Sequence, residues 1–350
     1  MSNEKNESKE IIFHDIRHKP FDVYGLYNYC EEGQFKRIPE NVANATSEGV
    51  EIHCHHTAGA RVRFSTDSDV IAVKTFLPRR ANLSEASLLS CAGIDLYVDD
   101  PVSKISRFGG VFLPPVDTDK GYVAEIKFPS KKLRYITLNL PAFSRMSELF
   151  IGIKEDASLG EGLKYRNIDP IVYYGSSITQ GGFASRPGNS YQNMICRRNN
   201  INFVNLGFSG SGKAEDAIVK YMTGLKMSAF VCDYDHNAPD AEYLKATHLK
   251  MYLTMRKSHP TVPYIIISRP DFAAHYEESI PRRSIIFDTY RYALDNGDSN
   301  VYYIDGASIF RGPYEDSCLI DGTHPNDLGL ALIADAVEAE LKRANTQVNM

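Results

Sequence analysis

The sequence predicts an α/β protein in two parts: an antiparallel β-sandwich, then a parallel sheet covered by helices on both faces. Three observations predict it. Apolar and polar residues alternate with a period of two from about Ile11 to Glu155. Past Ala157, short continuous apolar runs alternate with helical stretches. Polar, glycine-rich segments follow those runs directly. At 350 residues the chain is long enough for two domains. The expected division is a flexible N-terminus over residues 1–10, a sandwich over 11–160 and a second domain over 161–345.

In the first half, Ile94, Leu96 and Val98 alternate with Asp95, Tyr97 and Asp99, and residues 122–128, 135–140 and 149–154 repeat the theme. Turn residues separate these runs, among them Asp67-Ser68-Asp69, Gly109-Gly110, Pro114-Pro115 and Asp119-Lys120-Gly121. Short alternating strands at such spacing read as a sandwich of antiparallel sheets. Helix signals are scarce here. Residues 158–162, Ser-Leu-Gly-Glu-Gly, read as a linker. The second half carries apolar runs at 171–174, 203–206, 229–232, 264–267 and 301–304. Helices are predicted near 191–198, 214–222, 241–257, 284–294 and 326–343, the last with Leu328, Leu332, Ala336 and Ala339 as its stripe. Continuous apolar strands between helices mean a parallel sheet covered on both faces, with ligands outside the strands' carboxyl ends.

Composition excludes several classes. Apolar residues make up 43% and charged residues 24%, which is ordinary for a globular chain. Lys plus Arg number 39 against 44 Asp plus Glu, a net charge of −5, so no bulk attraction to nucleic acid or anionic membrane is expected. The six cysteines show no CxxC spacing, which argues against a zinc ribbon or redox dithiol. The polar N-terminus reads as cytoplasmic as written; a trimmed signal peptide would make the protein periplasmic or secreted. The oligomeric state is not written in the pattern.

Four segments could carry chemistry. Tyr174-Gly175-Ser176-Ser177-Ile178-Thr179-Gln180-Gly181 follows the first run. A Ser lifted on a tight strand–helix turn faces solvent, and N–H groups at the helix start can stabilise an oxyanion. An ordinary Ser- and Gly-rich loop would look similar. Asp321-Gly322-Thr323-His324 precedes the last helix, and an Asp three residues before a His can hold one ring nitrogen and leave the other as a base; a capping role is the plainer reading. Asn205 to Lys213 follows the second run and nearly spells a P-loop, but position 214 is Ala where a Ser or Thr would hold Mg²⁺. Its other reading aims the Gly210 N–H at a reacting carbonyl oxygen. Val231 to Pro239 follows the third run and offers the Asn237 amide to the same oxygen.

These four segments, in this order, resemble the SGNH (GDSL-like) hydrolase superfamily over about residues 169–341. The resemblance implies a three-layer flavodoxin-like domain with five parallel strands. It places the nucleophile on Ser177, the triad partners on His324 and Asp321, and the oxyanion hole on Ser177, Gly210 and Asn237. It implies no metal or cofactor. Gly93-Ile94-Asp95-Leu96-Tyr97 matches the Gly-x-Asp-Leu-Tyr signature of a jelly-roll-like sandwich that precedes one branch of such hydrolases. The chain departs from the family pattern at Ser176, where Asp is usual, and at residues 235–238, where Gly-x-Asn-Asp is usual. The expected function is hydrolysis of short acyl esters, acetyl in particular, on glycans. An inactive carbohydrate-binding scaffold is the alternative, and a nucleotide binder the third. Gln180 and Arg186, near Ser177 in sequence, are expected to line the substrate pocket. Glu51-Ile52-His53-Cys54-His55-His56 looks metal-like, with His53 and His55 sharing a face if the segment is a strand, but it has no obvious third ligand.

Overall fold

The computed structural model describes residues 10–118 and 120–344. The flexible segment expected at residues 1–10 therefore lies outside the described residues, except for Glu10. In the first half, β1 (Ile11–Asp15), β9 (Glu148–Lys154), β4 (Val70–Phe76) and β7 (Gly121–Lys127) pair in that order as one antiparallel sheet. The second sheet runs β10 (Leu159–Glu161), β3 (Arg61–Thr66), β8 (Arg134–Asn139), β5 (Ile94–Asp99) and β6 (Ser106–Phe112), with β2 (Asp22–Tyr24) on β3. Val62, Phe64, Ile71, Val73, Ile136, Leu138 and Ile151 fill the space between them. The alternation of β5 is as expected, but its polar face is not solvated. Asp95, Tyr97 and Asp99 are buried: Asp95 and Tyr97 accept from Arg186 of the second half, and Asp99 accepts from Arg63, Ser106 and Thr137 of the first.

The second half folds as five parallel strands, β11 (Ile171–Gly175), β12 (Phe203–Gly207), β13 (Ala229–Asp233), β14 (Tyr264–Ile267) and β15 (Val301–Ile304). Their spatial order is β12-β11-β13-β14-β15, the flavodoxin-like order. Val172 and Tyr174 of β11 face one side, with helices Asp216–Met222, Ala241–Ser258 and Tyr276–Asp295. Ile171 and Tyr173 face the other, with helices Tyr191–Asn199 and Asp327–Arg343. Strand order reverses at β11, between β12 and β13, so the crevice beyond the carboxyl ends of β11 and β13 is where a ligand is expected.

Three sequence expectations need correction. The first half is not all strand: helices Glu40–Thr46 and Glu48–Cys54 carry Ala43, Val50 and Cys54 into the same buried cluster as Val172 and Phe230. Seven-residue helices are too short to display a helical period, although Ser47 caps the second by accepting from the Val50 N–H (3.4 Å). His53 therefore lies on a helix and His55 just past its end, not on a strand. The helix expected from 284 begins at Tyr276 and takes in Pro281. The last helix buries Leu330, Ile333, Ala334, Val337 and Leu341, whereas Leu328 is exposed, so its core stripe is not the one expected. No helix among the described residues is long and apolar enough to cross a membrane.

Candidate active site

Gly175 ends β11 where nothing larger fits: a Cβ there would lie 2.0 Å from the Asp233 carbonyl oxygen and 2.3 Å from Thr179 Oγ1. The Ser176 N–H donates to that same carbonyl (3.0 Å), and its hydroxyl caps the next turn by accepting from the Ile178 N–H (3.2 Å). Ser177 opens the helical turn Ser177–Gln180. Gly181, at φ +121°, lets the chain reverse, and the Gly182 N–H returns to the Ser177 carbonyl (2.8 Å). Phe183 then donates its N–H to the Pro325 carbonyl (3.0 Å) and lays its ring against that of His324, 4.7 Å between centroids.

The second turn is built mainly from its own residues, with Thr323 Oγ1 also 3.0 Å from His275 Nε2. Asp321 Oδ1 accepts from the N–H groups of Thr323 (3.0 Å) and His324 (2.7 Å), while Oδ2 lies 2.7 Å from His324 Nδ1. The other ring nitrogen, Nε2, lies 2.9 Å from Ser177 Oγ. Burial raises the Asp321 pKa, but the hydrogen bonds from His324 and Thr323 outweigh it and hold the carboxyl below its ordinary range. With the Nδ1 N–H donating to the Asp321 carboxylate, Nε2 is left as an acceptor for the serine hydroxyl. Gly322, at φ +85°, makes the turn possible, and Asn326 caps the following helix through the N–H groups of Leu328 and Gly329.

The loop after β12 is fixed almost completely. The Ser209 N–H donates to Gln180 Oε1 (2.9 Å), those of Ser211 and Gly212 to the Phe208 carbonyl (both 2.9 Å), that of Lys213 to Glu215 (3.2 Å) and that of Ala214 to the Tyr174 hydroxyl (2.7 Å). Among the described residues, the Gly210 N–H of this run has no acceptor. A P-loop needs several such groups free for phosphate, so the nucleotide reading fails here. Gly210 is exposed at φ +65°, with open space around its missing side chain. One N–H of the Asn237 amide donates to the Phe208 carbonyl (2.9 Å), which leaves the other available.

Gln180 and Arg186 are committed to the protein itself rather than to a pocket. Gln180 is 1% exposed. Besides holding Ser209, its Nε2 donates to the Ala142 carbonyl (2.9 Å) and lies 3.1 Å from His56 Nδ1. Arg186 donates to Asp95 Oδ2 (2.8 Å) and the Tyr97 hydroxyl (2.5 Å), tying the loop after Ser177 to the Gly-x-Asp-Leu-Tyr strand. Such distant pairings leave no spacing signal. The same holds for Phe183 against His324, whereas His53 and His56, whose Nδ1 atoms lie 3.3 Å apart, are only three residues apart in the chain. No cluster of three or more metal-ligating side chains forms among the described residues. A cleft of about 610 Å³ opens beside Asp321 and Gly322, with Phe310, Leu319, Glu315 and Asp316 on its walls.

Residues 168–342 match the model of the GDSL-like Lipase/Acylhydrolase family. Residues 11–159 match the GxDLY model, described as the N-terminus of SGNH-hydrolase-type esterases. Among solved structures, a protein named as a GDSL-like lipase from Bacteroides ovatus ATCC 8483 is 26% identical, with a TM-score of 0.85 over 96% of this chain and 98% of that one. The salicylyl-acyltransferase SsfX3 of a tetracycline biosynthetic pathway is 19% identical (TM-score 0.73, 95% and 97% covered). The acetyl xylan esterase Est2A from the rumen bacterium Butyrivibrio proteoclasticus is 12% identical (TM-score 0.55, 95% and 98% covered). The last two likenesses concern the fold. No curated protein matches the chain.

Proposed function

The chain belongs to the GDSL-like Lipase/Acylhydrolase family, and from that premise we propose that it is a serine esterase removing short acyl groups, acetyl in particular, from glycan esters. The observation that carries the reading is the line from Ser177 Oγ to His324 Nε2 (2.9 Å) and from His324 Nδ1 to Asp321 (2.7 Å). In this reading His324 takes the Ser177 proton as the hydroxyl oxygen attacks the ester carbonyl carbon, while Asp321 holds the ring and balances its charge. The carbonyl oxygen becomes an anion before the N–H groups of Ser177 and Gly210 and the spare N–H of Asn237, each worth about 3 kcal/mol in the transition state. His324 passes its proton to the departing alcohol, leaving an acyl-Ser177. Water then gives a proton to His324 as its oxygen attacks the acyl carbon, and Ser177 recovers that proton as the acid leaves. These steps call on no cofactor. We also propose a division into an accessory unit (11–160) and a hydrolase unit (161–345). The separate sheet systems support it, although β10 carries Glu161 into the first half's sheet and helices Glu40–Thr46 and Glu48–Cys54 pack across the boundary; residue 345 lies outside the described residues.

The glycan part is supported by the cleft beside Asp321, of a size ordinary for small-molecule sites, and by the name of the acetyl xylan esterase among the fold relatives. Ser177→Ala should fold normally and lose turnover of 4-nitrophenyl acetate, and a serine-directed phosphonate should label the Ser177 peptide of the unaltered protein. Retention of most activity excludes Ser177 as nucleophile. A preference for octanoate over acetate excludes the acetyl reading alone.

A further inference from the structure

Residues 56, 79 and 145 come from three segments that lie side by side. His56 pairs with Arg145, and Arg145 with Arg79, both antiparallel, with the Arg145 N–H donating to the Arg79 carbonyl (3.2 Å). Directly opposed residues of antiparallel segments send their side chains to one face, about 5 Å apart. The three side chains thus form one row. Its inner end is His56, 3.1 Å from Gln180 on the nucleophile turn. Its outer end is open, because Arg79 and Arg145 are both exposed. Among the described residues neither guanidinium holds a carboxylate, whereas Arg63, Arg186, Arg269 and Arg283 each do.

The surroundings do not neutralise this row. Burial, together with the cations Arg37 and Arg79, depresses His53 to about 4. Burial, then His53, Arg37 and Arg79, keeps His56 well below its ordinary value. The other flank of the site, beside Asp321, carries Glu315 and Asp316. An anionic group on a substrate is repelled from that flank and attracted to this one. Two guanidinium groups in a row present the planar forks that suit a carboxylate.

We propose that Arg79 and Arg145 form a carboxylate-recognition subsite, so that the ester hydrolysed at Ser177 carries a carboxylate on its alcohol or its acyl part. The inference rests on the esterase reading above and narrows its substrate. Two substrate pairs test it and separate the two sources: an acetylated methyl glucuronoside against the acetylated methyl glucoside, and mono-4-nitrophenyl succinate against 4-nitrophenyl butyrate. In one pair the anionic member should be favoured at least about tenfold in kcat/KM. That ratio should fall with added NaCl and approach one in the Arg79→Gln, Arg145→Gln double variant. The pair that responds identifies the part of the ester bearing the charge. Indifference in both pairs, or a ratio that survives the double substitution, overturns the subsite while leaving the esterase intact. A wild-type protein inert even to 4-nitrophenyl acetate overturns both.

Discussion

The two turns that meet at the candidate site are held in opposite ways. The nucleophile turn is buried from Ser176 to Gln180 and fixed from a distance, by Asp233, Ala142, His56 and Ser209. The acid–base turn is partly exposed, with 22% of the His324 side chain and 31% of that of Asp321 open to water. The hydrogen bonds that join Asp321 to Thr323 and His324 lie within four residues of chain, and His275 adds one more distant contact through the Thr323 hydroxyl (3.0 Å). A rigid nucleophile set against a base carried on a local turn is a division of labour. Precision comes from tertiary packing on one side, and freedom to admit water and release an alcohol on the other. Substitutions on the two turns should therefore fail differently.

The largest effect is expected at His324. His324→Ala removes the base but none of the packing beneath Ser177, so kcat for 4-nitrophenyl acetate should fall about 10⁴-fold or more, with the thermal midpoint nearly unchanged. A collapse of stability instead would show that the exposed turn is structural. Arg37→Met should do the reverse. Arg37 comes from the first half of the chain, is fully buried, and donates to the carbonyls of His53, His56, Asn205 and Gly207. Burial without a carboxylate partner pulls its pKa down to about 9. Leaving those carbonyls unpaired should cost at least about 3 kcal/mol in urea unfolding. A loss well under 1 kcal/mol would mean that the packing across the two halves does not depend on it.

This contrast also explains what the sequence made legible. The five parallel strands were visible because each is buried on both faces and reads as a continuous apolar run, as Ile171 to Tyr174 does. The Asp321–His324 turn was visible because its partners are neighbours in the chain. Gln180 and Arg186 were recognised as close to Ser177 but given the wrong direction. Asp95, the partner of Arg186, lies 91 residues away, and no local spacing encodes that pairing. The core stripe of the final helix was misread for a related reason, since Leu328 and Leu330 are equally apolar and only the packed neighbour decides which is buried.

A smaller kinetic effect sharpens the comparison at Gln180. Gln180→Ala frees the Ser209 N–H and with it the loop that carries Gly210, without touching the ester. We expect kcat to fall about tenfold to a hundredfold with KM little changed, because an oxyanion donor acts in the transition state rather than in the ground state. A rise in KM at constant kcat would instead restore Gln180 to the substrate pocket.

The smallest effect concerns two buried aspartates, one behind the nucleophile turn and one near the acid–base turn. Asp271 is raised by burial, but His236 and Arg269 overcome this and hold it well below the carboxylate range. Asp233 has no such cation in contact, and one of its oxygens is buried without a partner among the described residues. Burial pushes its carboxyl up to about 7, only partly offset by His236 and the Thr179 hydroxyl. The signs are therefore opposite. A raised acid keeps its proton in the folded protein while the unfolded chain has lost it, so Asp233 lowers stability progressively as pH rises from about 4 to about 7 and adds no further slope above that. Asp271, held low, contributes stability that is fully present above the ordinary carboxylate range and is lost as pH falls below it. Asp233→Asn should therefore be more stable than wild type at pH 8 and should flatten the slope between pH 5 and 7, by at most a few kcal/mol. Asp271→Asn should be less stable at pH 8. Urea unfolding at pH 5 and pH 8 reads both, and a wild-type slope of the same sign and size in Asp233→Asn would remove Asp233 as its source.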